Sequence, residues 1–205
     1  MFIGVGLPIT NTLNKGARYV PEASALFARM SAQPTTDMKG HMDRLVRGLL
    51  SAGVWQKLDA LYVMAVHDEQ AARLNWIQDA FNLSPVSAPN FLAGEGYAGS
   101  VTPSYLESSF NPTTAPSPKF TQNDAHMGVW SLTNVANGAS PSYELGANGS
   151  SYIARNANGS IAGRVNTASG IAITPSSPEA FPGHVVWCRS SESVWDSYSA
   201  GTGVG

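Results

Sequence analysis

The chain has 205 residues, room for one domain or two small ones and for a sizeable core. Its net charge is −2 and only 13% of its residues are charged, about half the usual share. There is no basic excess to neutralise phosphates, which argues against a nucleic-acid partner, and a single cysteine, Cys188, cannot build an internal disulfide framework and is expected as a buried thiol.

The opening MFIGVGLPITNTLNKG is apolar, but it has no basic start and Pro8 interrupts it, so it does not read as a signal peptide. No stretch approaches the length of a membrane span, and no membrane insertion is expected. Residues 1–19 read as an extended segment. Phe2, Ile3, Val5, Leu7 and Ile9 are its candidate assembly residues, either as an added strand on a neighbouring protein or as a first strand of the chain's own domain.

Residues 20–80 are expected to be helical. Pro21 and Glu22 suit a first turn in PEASALFARM. In TTDMKGHMDRLVRGLLSAG, Thr35 or Thr36 can cap the N-terminus and Gly53 can stop the helix. Met38, Met42, Leu45, Val46, Leu49 and Leu50 fall on one face at helical spacing. VWQKLDALYVMA is expected to continue as helix, although its end could equally be a buried strand. HDEQAARLNW follows as a short helix with Asp68 and Glu69 in its first turn. Such a stripe of Met and aromatics reads as core, not as a cofactor site.

The composition changes near residue 80. Residues 81–205 hold ten of the 13 prolines and 14 of the 20 glycines, which punctuate short strand-like runs. Strands are expected near 104–110, 126–133, 142–145, 152–156, 160–165, 184–190 and 194–199. Asn-Gly pairs favour tight reversals, so SSYIARNANGSIAGRV reads as a hairpin with Tyr152, Ile153, Ile161 and Val165 on its arms. A solvated linker has no use for those apolar residues. The fold class is therefore α+β, a helical region followed by an antiparallel β-sandwich or jelly roll over 81–205.

Motifs with chemistry are sparse. Asp124 and His126 would share a face of a strand, as a metal-ligand or acid–base fragment or as the polar edge of a strand entry. No HExxH, Cys/His cluster or third ligand accompanies them, and GEGYAG lacks the Lys-Ser/Thr of a phosphate loop, so no cofactor or metal is expected and GEGYAG reads as a turn. No G-x-S-x-G elbow or alternating carboxylate strand marks a hydrolase. Tyr152, Arg155, Arg164, Trp187 and Trp195 lie among short polar residues in the expected strands. Aromatic faces beside polar side chains suit a shallow sugar site, against the alternative that the aromatics pack the sandwich.

GLLSAGVWQKLDALYVMAVHDEQAARLNW resembles a recurring module of tailed-phage and prophage virion proteins of the tail-fibre or appendage type. Gly53, Trp55, Leu58, Asp59, Leu61, Ala71, Asn75 and Trp76 carry the likeness. GEGYAGSVTPSYLESSFNPTT continues it through Gly96, Tyr97, Tyr105, Leu106, Phe110, Asn111 and Pro112, and NDAHMGVWSLTN extends it, so that about residues 20–205 are covered. In that family the helical segment precedes a concanavalin A-like (lectin/glucanase, LamG-type) β domain. The resemblance implies a virion structural protein with no catalytic residue to carry over. It further implies other virion proteins as partners, a homo-oligomer, and host surface glycan as an alternative ligand. A polysaccharide-degrading enzyme is the less favoured third reading. The family pattern continues past GTGVG with several more strands; the expectation is either a shortened chain or a sheet completed by another subunit.

Overall fold

The computed structural model describes residues 18–98, 104–132, 142–147, 151–155, 161–167, 171–173, 183–192 and 195–200. Phe2, Ile3, Val5, Leu7 and Ile9 lie outside the described residues. Few helices and many antiparallel strands in small sheets give a mixed α+β fold. The chain divides into two compact units, Met1–Gln56 and Lys57–Gly205.

In the first unit, α1 (Pro21–Ala28) starts on its proline, with Glu22 in the first turn. Gln33 closes its far end, its Nε2 donating to the carbonyls of Phe27 at 2.7 Å and Met30 at 3.0 Å. α2 (Thr36–Ser51) is capped as expected by Thr35, whose Oγ1 accepts from the Met38 N–H at 3.2 Å. Gly53 follows at φ +65°, the left-handed geometry of a helix stop.

Leu26, Phe27, Met30, Met42 and Val46 are buried, whereas Leu45 of the expected stripe is 42% exposed. Asp43 shares the buried face of α2. Its Oδ1 accepts from the Val20 N–H at 2.7 Å and its Oδ2 from Arg47 Nε at 2.5 Å. Burial acts to raise the Asp43 pKa, but the hydrogen bonds from Arg47 and Val20 and the Arg47 charge outweigh it and hold the carboxyl below its ordinary range.

Helix does not continue through residues 54–65. One 3-10 turn, Trp55–Lys57, is followed by extended chain up to α3 (Glu69–Arg73). The cause is the fully buried Asn75, which takes the backbone groups a helix would need. Its Oδ1 accepts from the Leu61 N–H and its Nδ2 donates to the carbonyl of Asp59, both at 3.1 Å. Oδ1 also accepts from the Ile77 N–H, and Nδ2 donates to the Ala80 carbonyl.

Asp59 extends this knot. Its carboxylate accepts from the backbone N–H groups of Lys119 and Phe120 at 2.7–3.0 Å. The compositional change near residue 80 thus falls inside the second unit, whose residues 57–82 are tied to the β region by hydrogen bonds. The short helix α3 forms as expected, with Asp68 as its cap, accepting from the Ala71 N–H at 3.1 Å.

Four short strands come next. β1 (Ser84–Val86) pairs with β4 (Tyr105–Glu107). β2 (Asn90–Leu92) and β3 (Gly96–Ala98) form a hairpin that reverses over residues 93–95, so of the GEGYAG stretch, expected as a turn, only Gly94 and Glu95 lie in the turn and Gly96–Ala98 are strand. Of these, only β4 lay within an expected strand.

Two larger antiparallel sheets hold the remaining strands. One has the order β11 (Trp195–Ala200), β10 (Gly183–Arg189), β5 (Ala125–Ser131). The other runs β6 (Ser142–Ala147), β7 (Ser151–Arg155), β8 (Ile161–Arg164), β9 (Ile171–Ile173). The expected hairpin is β7–β8, with Ile153 opposite Gly163 and Tyr152 opposite Arg164. Its reversal, with Asn158 and Gly159, lies outside the described residues.

Both sheets contribute to one core: Ala125, Val185 and Trp187 from the first, Ile153 and Ile161 from the second, with Val165 just beyond β8. Gly163 makes the contact possible. A Cβ there would lie 2.3 Å from Cε2 of Trp187, so the β8 backbone rests against the indole where no other residue fits.

Candidate interaction surface

Strand alternation sorts the side chains of β10 and β5. Val185 and Trp187 of β10 point into the core, while exposed His184 points out. On β5, Ala125, Met127, Val129 and Ser131 face inward, leaving His126 and Trp130 exposed. Trp130 is 67% exposed and stacks on His184, its register partner, with ring centroids 6.2 Å apart and planes 23° from parallel.

Across the core, Tyr143 of β6 is 69% exposed and meets Tyr152 edge to face at 5.5 Å. Arg164 stands opposite Tyr152 and places its guanidinium 4.9 Å from the centre of that ring. Tyr152 and Arg164, both sequence-predicted site residues, therefore meet on the side of the hairpin away from Ile153 and Ile161, joined by Tyr143.

Among the described residues β5 and β6 each end their sheet, and they are joined by a hydrogen bond in which Ser131 Oγ donates to Glu144 Oε1 at 2.7 Å. Large apolar side chains neighbour it in sequence: Trp130 on β5 and Leu132 just past its end, Tyr143 and Leu145 on β6. These four are 39–69% exposed, Trp130 on the outward face of its sheet, Tyr143 on the outward face of the other sheet and Leu145 on the Ile153 side of β6. The β6 edge carries an irregularity at Glu144, where the register shifts between Tyr143 and Leu145. Such bulges discourage further pairing.

The other expected sugar-site residues fare differently. Trp187 is 2% exposed and packs against Gly163, so its indole is core and offers no face to a ligand. For Trp187 the packing alternative holds and the stacking role is corrected: its phase on β10 is that of Val185, not of His184. Arg155 stands in register opposite Ser142 and Ile161, and Trp195 opposite Arg189; their side chains lie outside the described residues. Asp124 precedes β5 in a bend, where its carbonyl accepts from Thr121, so it does not share a strand face with His126. Among the described residues, no group of three or more His, Cys, Asp or Glu could hold a metal, and no helix is long and apolar enough to cross a membrane.

Sequence reasoning missed Trp130, His184 and Tyr143. The signal was the phase of AHMGVWS: once Ala125, Met127 and Val129 are assigned to the core, Trp130 must face out.

Set against known proteins, the chain matches no family model, no curated protein and no solved structure.

Proposed function

We propose that this chain is a structural component of a bacteriophage or phage-like particle, a fibre, appendage or decoration protein that acts through protein–protein assembly and not as an enzyme. The observation that carries the reading is the number of large apolar side chains left exposed on and beside β5 and β6: Trp130, Leu132, Tyr143 and Leu145. Side chains of this kind are commonly covered by protein partners. Supporting it, Asp59 and Asn75, which carry part of the likeness to virion modules, are the residues that knot the start of the second unit. The two sheets sharing one core are, on this reading, a concanavalin A-like sandwich, located in the virion.

The test is co-purification. The wild-type chain is expected to sediment with purified particles. A Trp130→Ser, Tyr143→Ser double variant, altered only at exposed positions, is expected to fold but to stay in the supernatant. A wild-type chain absent from washed particles ends the assembly reading.

A second reading, a receptor-binding lectin module for host surface polysaccharide, is favoured by one set of residues. Tyr143, Tyr152 and Arg164 line up aromatic faces beside a guanidinium on a single sheet face. Glycan arrays test it directly: hits lost in Tyr143→Ala support the lectin, and no hits with wild type exclude it.

A further inference from the structure

We propose that β5 is a dimerisation strand, pairing antiparallel with β5 of a second copy of this chain about a twofold axis through Gly128. Among the described residues β5 bonds on one side only, to β10, so its other edge carries unpaired backbone donors and acceptors. The usual guards are missing from this edge. AHMGVWS contains no Lys, Asp, Glu or proline, and its register with β10 runs unbroken from Ala125 to Ser131. The β6 edge, by contrast, is interrupted at Glu144.

Self-pairing suits the sequence. An antiparallel twofold about Gly128 uses all seven residues of β5 and preserves the inward and outward faces. It places Met127 opposite Val129 of the copy on the inner face. These two point inward yet are only partly buried beside the core cluster, at the margin a neighbouring strand would close. On the outer face the same register sets exposed His126 opposite exposed Trp130 of the copy, on the side of Trp130 away from His184. No like charges oppose one another at any of the seven positions. The two three-stranded sheets then join into one continuous sheet of six strands.

The pairing deepens the assembly reading, on which its biological meaning rests, but the two fail separately. A dimer can be measured in dilute solution whether or not the chain enters a particle.

The experiment is sedimentation equilibrium on the full chain and on two double variants changed only at exposed outer-face positions. Wild type is expected at twice the chain mass. His126→Lys with Trp130→Lys opposes lysine to lysine twice across the axis and is expected to weaken dimerisation by about ten-fold or more. His126→Glu with Trp130→Lys opposes glutamate to lysine in the same register and is expected to bind about ten-fold more tightly than the lysine pair. Because both variants lack Trp130, their difference reports the register alone. A monomeric wild type, a lysine pair as tight as wild type, or two variants of equal affinity each overturns the proposal.

Discussion

Replacing Gly163 by alanine tests the packing that joins the two larger sheets. Gly163 is not at positive φ, so the backbone tolerates a side chain. Losing a glycine from a strand would by itself stabilise the fold by about 0.4–1 kcal/mol through the unfolded chain. Against that, the added Cβ would lie 2.3, 2.4 and 2.7 Å from Cε2, Nε1 and Cδ2 of Trp187. These atoms belong to a rigid ring that is 2% exposed, so it cannot swing away, and the strand must shift instead. Overpacking of this kind costs about 1–3 kcal/mol, which outweighs the entropic gain. The expected outcome is a net loss of about 1–2 kcal/mol, lowering the melting temperature by about 2–8 °C for a unit of this size.

Urea unfolding followed by circular dichroism reads the change, which arises within the Lys57–Gly205 unit. Trp187→Phe removes part of the obstructing ring and should recover some of the loss in the double variant, giving a coupling of about 1 kcal/mol. A Gly163→Ala chain as stable as its parent would refute the close approach of β8 to the indole.

Other outcomes follow from the same geometry. Asn75→Ala strands the Leu61 and Ile77 N–H groups and the Ala80 carbonyl, while the Asp59 carbonyl keeps Gln78 Nε2 at 3.0 Å; at about 1 kcal/mol or more each it should cost about 3 kcal/mol, read as a lowered midpoint of urea unfolding. Trp187→Ala should cost about 3–5 kcal/mol of stability, whereas Trp130→Ala should change stability by less than about 0.5 kcal/mol, in line with their opposite faces. Asp43 has a folded pKa below its unfolded value, so its contribution is fully present above the unfolded pKa and is lost as pH falls through the lowered one. Asp43→Asn should therefore flatten the acid limb of the first unit's stability profile and leave the neutral-to-alkaline limb unchanged in shape.

Much of the fold was legible because local rules and tertiary packing agree. Pro21, the Thr35 cap and Gly53 bounded α1 and α2, and the β7–β8 hairpin followed from Tyr152, Ile153, Ile161 and Val165 around an Asn-Gly pair. The failure at residues 54–65 is a tertiary override. LDALYVMA has helical spacing, but Asn75, 14 residues beyond Leu61, takes the N–H a helix would use. β1, β2 and β3 were missed since three-residue strands leave too little alternation to count.

Within the candidate site, Tyr152 and Arg164 were legible as neighbours through the hairpin register, whereas for Trp187 the residues left two expectations open, a stacking face or sandwich core. Composition places tryptophan near polar residues; only the phase against Val185 shows which way it points. The phase of AHMGVWS places Trp130 only after the inward face of β5 is chosen, and Tyr143 depends on the register of β6 with β7, which shifts at Glu144; both are long-range facts.

The central claim, a particle component working through assembly, is tested most directly by imaging purified particles with antibody against the Lys57–Gly205 unit. The account predicts label at one recurring position on the particle, with that label lost for Trp130→Ser, Tyr143→Ser chains of unchanged stability. Unlabelled particles beside a lysate that holds the intact chain in free form would contradict it.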